Sequence, residues 1–259
     1  EHVVNKSSDY TRLAGGMPDL VLVSLKSLPS IDTPAIIRAA VGPGVAILIL
    51  QNGIEVERPA AEAFPSNELL SGIAFVCLNR IGPGHVRHLD YGRMVLGRHP
   101  SGIGELATRL AAMFEKAGVP VRTSADMTRE RWTKLVWNAP FNPLSVVCGG
   151  LTTKQVMDSP EMALVARRVM EEVVAVAAAE GVIIPDGVVE KNMADTAVMK
   201  PYKTSMCLDF EAGRPLEVEA ILGRAVAAAR RRHIPAPRME TLYALLQTMA
   251  AGKRQGSQP

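Results

Sequence analysis

Lys134, Asn138 and Asn142 stand four residues apart in the run Arg131-Trp-Thr-Lys-Leu-Val-Trp-Asn-Ala-Pro-Phe-Asn-Pro-Leu-Ser145. Four-residue steps on a helix return to nearly the same face, so an ammonium and two amides form one polar row between apolar neighbours. Such a row needs a partner, either a bound molecule or an adjacent loop, since lysine commonly snorkels to solvent and asparagine commonly bonds to neighbouring backbone. A second segment, Lys203-Thr-Ser-Met-Cys-Leu-Asp-Phe-Glu-Ala-Gly-Arg-Pro-Leu-Glu-Val-Glu219, adds a hydroxyl at Ser205 and a carboxylate at Glu217. Pro215 suits the first position of a helix, which puts Glu217 in its first turn, where the helix dipole favours the ionised acid. Ser205 has a second reading as a helix cap. An ammonium, amides, a hydroxyl and a carboxylate suit a small polar acid as ligand.

Those groups need a scaffold, and the apolar pattern supplies two kinds. Asp19 to Leu25 and Val45 to Leu50 are short aliphatic runs that read as buried parallel strands, with a helix near Thr33 to Ala40 between them. Further strands are expected at Gly72 to Leu78, Val86 to Leu89, Arg93 to Leu96 and Val119 to Arg122, and a helix over Ile103 to Ala117 with Gly118 as its stop. This is the rhythm of a doubly wound α/β sheet, ending near Ser124. Beyond it the pattern turns helical. Asp126 or Thr128 caps the helix that carries the polar row, Ser159-Pro160 opens a helix to Gly181, and Pro215 opens one to about Arg232. Met162, Val165, Val169, Val173 and Val176 recur at helical spacing and read as core. Pro140 interrupts the backbone bonds between Asn138 and Asn142, so a kink that rotates Asn142 away from Lys134 is expected. The tail from Gly252 to Pro259 is polar and reads as frayed.

Composition excludes several classes. With 259 residues, 47% of them hydrophobic and 21% charged, the chain can bury one large core or two modest ones. No apolar run approaches the roughly 20 residues of a membrane-spanning helix, and no basic-then-apolar leader opens the chain, which points to a cytoplasmic protein without a membrane partner. The formal charge is only +3, and the run Arg230-Arg-Arg-His233 falls where it closes a helix, so no nucleic acid is expected. Cys77, Cys148 and Cys207 lie in apolar contexts and read as reduced core thiols, and the five histidines show no ligand spacing beyond a weak His85/His88 pair, so no metal is expected.

The run K-L-x-x-N-x-x-x-N-P-L from Lys134 to Leu144 and the run T-S-M-x-x-D-x-E-x-G-R-x-x-E from Thr204 to Glu217 resemble those of ketopantoate reductases (2-dehydropantoate 2-reductases). The resemblance extends to Asp19-Leu-Val-Leu-Val-Ser-Leu-Lys26, to Leu50-Gln-Asn-Gly53 and to Ile234-Pro-Ala-Pro-Arg-Met-Glu-Thr-Leu-Tyr243, in order and over nearly the whole chain. It implies a Rossmann-like dinucleotide-binding domain over residues 1–124 and an all-helical substrate and dimerisation domain over residues 125–259. It implies NADPH-dependent reduction of 2-dehydropantoate to pantoate on the way to pantothenate and coenzyme A; the apolar helices of the second domain would suit a homodimer. Within that likeness Lys134 is the proton donor and Glu217 accepts a bond from the distal hydroxyl of the substrate. Asn138, Asn142 and Ser205 bind substrate, while Lys26, Gln51 and Asn52 lie near the cofactor at strand ends. Asp209 supports the loop before Pro215.

The Gly-rich G-x-G-x-x-G turn that receives a pyrophosphate in such folds is not in these residues; Ala14-Gly-Gly-Met17 and Val41-Gly-Pro-Gly44 read as ordinary turns. The likeness begins in mid-fold and residue 1 is Glu, so the dinucleotide domain is expected to be N-terminally incomplete here. Reduction of another branched 2-keto acid, or a non-catalytic relative unable to hold cofactor, are the alternatives.

Overall fold

Leucine-rich and β-branched runs become strands where they are short enough to be buried on both faces. In the computed structural model, which describes residues 4–255, helix α1 (Ser7–Ala14) precedes strand β1 (Leu20–Val23). Helix α2 (Thr33–Ile37), extended by a 3-10 turn over Arg38–Ala40, then leads to β2 (Ala46–Ile49). Helix α3 (Arg58–Ala63) follows, then β3 (Leu69–Gly82), β4 (His85–Arg98), α4 (Glu105–Lys116) and β5 (Val121–Thr123). The strands form one sheet in the order β1-β2-β3-β4-β5, parallel except for the antiparallel β3–β4 pair. Ile47 and Ile49 pack on one face with Val23, Ile37, Ala60 and Phe64, whereas Leu48 packs on the other with Leu70, Leu96, Ala107 and Leu110. That alternation is the two-residue period of a strand covered by helices on both sides.

Two expected strands, 86–89 and 93–96, are one. Between them Tyr91 and Gly92 take positive φ, of 60° and 129°, and form a bulge instead of a break. Val76 pairs with Tyr91 and Phe75 with Arg93, so Gly92 is the extra residue.

The chain divides between Glu130 and Arg131 into two compact units. Helix α5 (Met127–Val147) spans that point, and the remainder is helical: α6 (Thr153–Asp158), α7 (Pro160–Ala179), α8 (Val188–Ala197), α9 (Ser205–Glu211), a π turn over Glu219–Gly223 that runs into α10 (Arg224–Arg232), and α11 (Pro237–Gln255). Ser159 caps α7 through Met162 N at 3.3 Å. The buried stripe of α7 begins at Ala166 and runs through Val169, Val173 and Val176, while Val165 is exposed and Met162 half-exposed.

Three further expectations are corrected. The helix expected from Pro215 begins at Val218, because Arg214-Pro215-Leu216 stays non-helical and Glu217 supplies the first accepting carbonyl. Cys148 is exposed just past the end of α5, unlike the buried Cys77 and Cys207. Helix α11 continues through Gln255, so the tail is helical from Gly252 that far, and residues 256–259 lie outside the described residues.

Candidate active site

Helix α5 starts where Asp126 Oδ1 accepts from Arg129 N at 2.9 Å, one of the two expected caps. Its interior holds Pro140 and Pro143, whose missing N–H groups would have bonded the carbonyls of Val136 and Ala139, yet the helix stays continuous. Tight packing outweighs those losses: Leu135, Val136, Ala139, Phe141 and Leu144 are all buried. Lys134 is half-buried and Asn138 and Asn142 are buried. Asn142 Nδ2 donates to the carbonyl of Asn138 at 3.2 Å, which ties the two asparagines together across the Pro140 turn. One amide hydrogen of Asn142 is thereby committed to the helix. Between Lys134 and Asn138, Trp137 is fixed by its Nε1 donating to Thr196 Oγ1 at 3.0 Å and by its ring lying 5.0 Å from that of Phe141.

Thr204, fully buried, caps α9 by accepting from Cys207 N at 3.2 Å. Ser205 is therefore the first residue of the helix and not its cap, and it is exposed. Buried Asp209 accepts from Arg214 Nε at 2.9 Å, while Arg214 N bonds the Asp209 carbonyl at 2.8 Å across a turn in which Gly213 has φ of 66°. This clasp sets the exit of the chain toward Glu217. Glu217 is half-buried, and its carbonyl accepts from Ile221 N at 3.1 Å, the position of an N-cap and one residue earlier than a first-turn acid.

In the sheet unit, Val23 and Ile49 are register partners on neighbouring parallel strands, so the segments after β1 and β2 leave the same edge. Lys26, half-buried, follows the first, and Gln51 and Asn52, buried and half-buried, follow the second. Gly53 at φ 102° and Glu55 at φ 54° bend the loop after Asn52. Glu57, in the turn into α3, is buried and accepts from Ser71 Oγ of β3. Nothing in the pattern Ile54-Glu-Val-Glu-Arg-Pro59 marks that carboxylate as interior, since acids before Arg-Pro usually open a solvated helix. Lys134, Asn138, Asn142, Ser205 and Glu217 all fall in the helical unit, and Lys26, Gln51 and Asn52 in the sheet unit. Among the described residues no group of three or more His, Cys, Asp or Glu side chains is placed to hold a metal.

The groups in the helical unit can bind a carboxylate and a hydroxyl and can donate a proton; the strand ends of the sheet unit are where such folds hold a dinucleotide. Residues 1–101 match the family described as Ketopantoate reductase PanE/ApbA, and residues 126–250 the one described as Ketopantoate reductase PanE/ApbA C terminal. Over 243 residues the chain is 35% identical to a 2-dehydropantoate 2-reductase of Nostoc sp., covering 92% of this chain and 76% of that protein. The crystal structure of 2-dehydropantoate 2-reductase from Methylococcus capsulatus superposes with a TM-score of 0.90 at 42% identity, over 99% of this chain and 80% of that one. The corresponding structure from Geobacter metallireducens gives a TM-score of 0.87 at 38% identity, over 95% and 80%.

Proposed function

The chain belongs to the ketopantoate reductase family, and on that premise we propose that it reduces 2-dehydropantoate to pantoate with NADPH, a step toward pantothenate and coenzyme A. Residues 1–124 serve the cofactor, and residues 125–259 the substrate and dimer contacts. The observation that carries the reading is the unbroken polar row of α5, in which Lys134 precedes two buried amides that pack among apolar side chains.

The fit of a nicotinamide nucleotide to this chain rests on the shared edge of β1 and β2, where Lys26 and the Gln51-Asn52-Gly53 loop leave neighbouring parallel strands. When bound, the nucleotide supplies a hydride to the keto carbon. Lys134 polarises the keto oxygen beforehand and passes a proton from Nζ to that oxygen as its negative charge develops. Asn138 and Asn142 orient the acid from the same helix face, with Asn142 preset by its bond to Asn138. Ser205, exposed at the start of α9, donates to the substrate carboxylate. Glu217 accepts from the distal hydroxyl, which distinguishes this substrate from 2-keto acids that lack one.

Steady-state oxidation of NADPH in the presence of 2-dehydropantoate tests the proposal. Lys134→Ala should lower kcat by roughly 10²- to 10⁴-fold, the usual contribution of a positioned proton donor. A Lys134→Ala protein that turns over near the unsubstituted rate would sink the proton-donor assignment.

A further inference from the structure

Two residues beyond Glu217 the helix leaves α geometry. Glu219–Gly223 forms a single π turn, closed by Arg224 N bonding the carbonyl of Glu219, before α10 resumes. Such turns are uncommon and recur at functional sites, held by contacts outside the helix. Here the contacts centre on the Glu219 carboxylate. Its Oε1 accepts from Tyr243 Oη at 2.7 Å and from Gln247 Nε2 at 3.2 Å, and the same Nε2 lies 2.6 Å from Tyr243 Oη as donor. Tyr243 and Gln247 stand one turn apart on α11, so α11 grips the π turn through a single side chain.

Gly223 makes the grip possible. A Cβ at that position would lie 2.2 Å from Glu219 Oε2 and 3.1 Å from Tyr243 Cε2, so any side chain there would displace the carboxylate from its partners. Burial, the hydrogen bond to Glu219 and that residue's charge push the Tyr243 phenol up to about 12. The phenol is therefore the donor at neutral pH, and the carboxylate the acceptor. Glu217 is bound into the same structure: Ile221, inside the π turn, donates to its carbonyl at 3.1 Å, and Val218 between the two acids is buried. A shift of the π turn would carry the Glu217 backbone with it.

We infer that Glu219, held by Tyr243 and Gln247 over Gly223, is a positioning residue that fixes the π turn and so sets the direction of the Glu217 carboxylate toward the distal hydroxyl of the substrate. This rests on the reading of Glu217 as the acceptor for that hydroxyl. Glu219 itself touches no reacting atom in this assignment. The plain competitor is that the three side chains only fasten α10 to α11.

The test compares two acids, 2-dehydropantoate and the same acid without its distal hydroxyl, as substrates of the protein. Tyr243→Phe and Glu219→Ala should raise the KM for 2-dehydropantoate roughly three- to tenfold, the range of one lost hydrogen bond, with kcat within about twofold. Both should leave kcat/KM for the deoxy acid unchanged, and Glu219→Gln, which keeps an acceptor for the phenol, should restore most of the loss. In a Glu217→Ala background Tyr243→Phe should add nothing, because the two changes act through one carboxylate. Equal losses on both acids, or full additivity with Glu217→Ala, would overturn the inference in favour of simple fastening. If Glu217→Ala raises KM but Tyr243→Phe does not, positioning fails and the reading of Glu217 stands. If Glu217→Ala leaves KM unchanged, that reading fails and the inference with it.

Discussion

Glu130 and Arg122 form a bidentate pair, with Nη1 to Oε1 at 2.9 Å and Nη2 to Oε2 at 2.7 Å, between the start of α5 and strand β5. Burial pushes the Glu130 carboxyl up, but the bonds and charge of Arg122, with the Ser124 hydroxyl and Arg129, outweigh it and hold the group below its usual range. The folded form thus binds a proton less readily than the unfolded chain. The pair's stabilisation is fully present above the unfolded value of about 4.3 and is lost as pH falls through the depressed folded value. Glu130→Gln should therefore cost about 1 kcal/mol at neutral pH, with the gap to the unsubstituted protein closing below about pH 4. Melting temperatures across that range check it, and a gap independent of pH would count against the assignment. This pair was not foreseen, because eight residues separate its members across a loop. The row Lys134, Asn138, Asn142 was readable, because one helical period connects its members without reference to any other element. Glu57 and Glu219 escaped notice for the opposite reason: their partners, Ser71 and Tyr243, lie in elements distant in sequence.

At the level of elements, the start of α11 depends on α7. Pro237 takes the first helical position, and the next two backbone donors, Arg238 N and Met239 N, meet the buried carboxylate of Glu172 at 3.1 Å and 2.9 Å. A tertiary acid thus does what a local Ser or Asp cap does elsewhere, with a charge suited to the helix dipole. Arg238 Nη1 adds a third bond to Glu172 at 3.1 Å. Glu172→Ala should destabilise the protein by about 2–3 kcal/mol, combining a lost cap with bonds from a charged partner. Amide exchange at Arg238 and Met239 should accelerate more than in the last turns of α7; unchanged exchange there would contradict the capping role. The same contrast explains which elements the pattern foretold. β1, β2, α4 and α7 announce themselves by periodicity and local stops. The bulge at Gly92 depends on pairing with β3, which no local pattern encodes, and the helix expected from Pro215 starts only at Val218, after the clasp between Asp209 and Arg214.

For the molecule as a whole, the division at Glu130/Arg131 puts the residues assigned to cofactor and to substrate in different compact units. The α/β and helical parts were foretold because their periodicities differ, two residues against three to four. The division gives the site assignments a test that requires no turnover. A ligand stabilises the structure it contacts by RT ln(1 + [L]/Kd), roughly 2.7 kcal/mol at a hundredfold excess over Kd, and slows amide exchange where opening would release it. NADPH should therefore slow exchange in the segments after β1 and β2, near Lys26 and over Gln51 to Glu55. Pantoate added to the NADPH complex should extend protection to α5 near Lys134, to the first turn of α9 at Ser205 and to the turn after Glu217. Protection by NADPH that bypassed both strand ends would remove Lys26, Gln51 and Asn52 from the cofactor site. Protection by pantoate confined to residues 4–130 would move the substrate off the polar row and, with it, the chemistry assigned to Lys134.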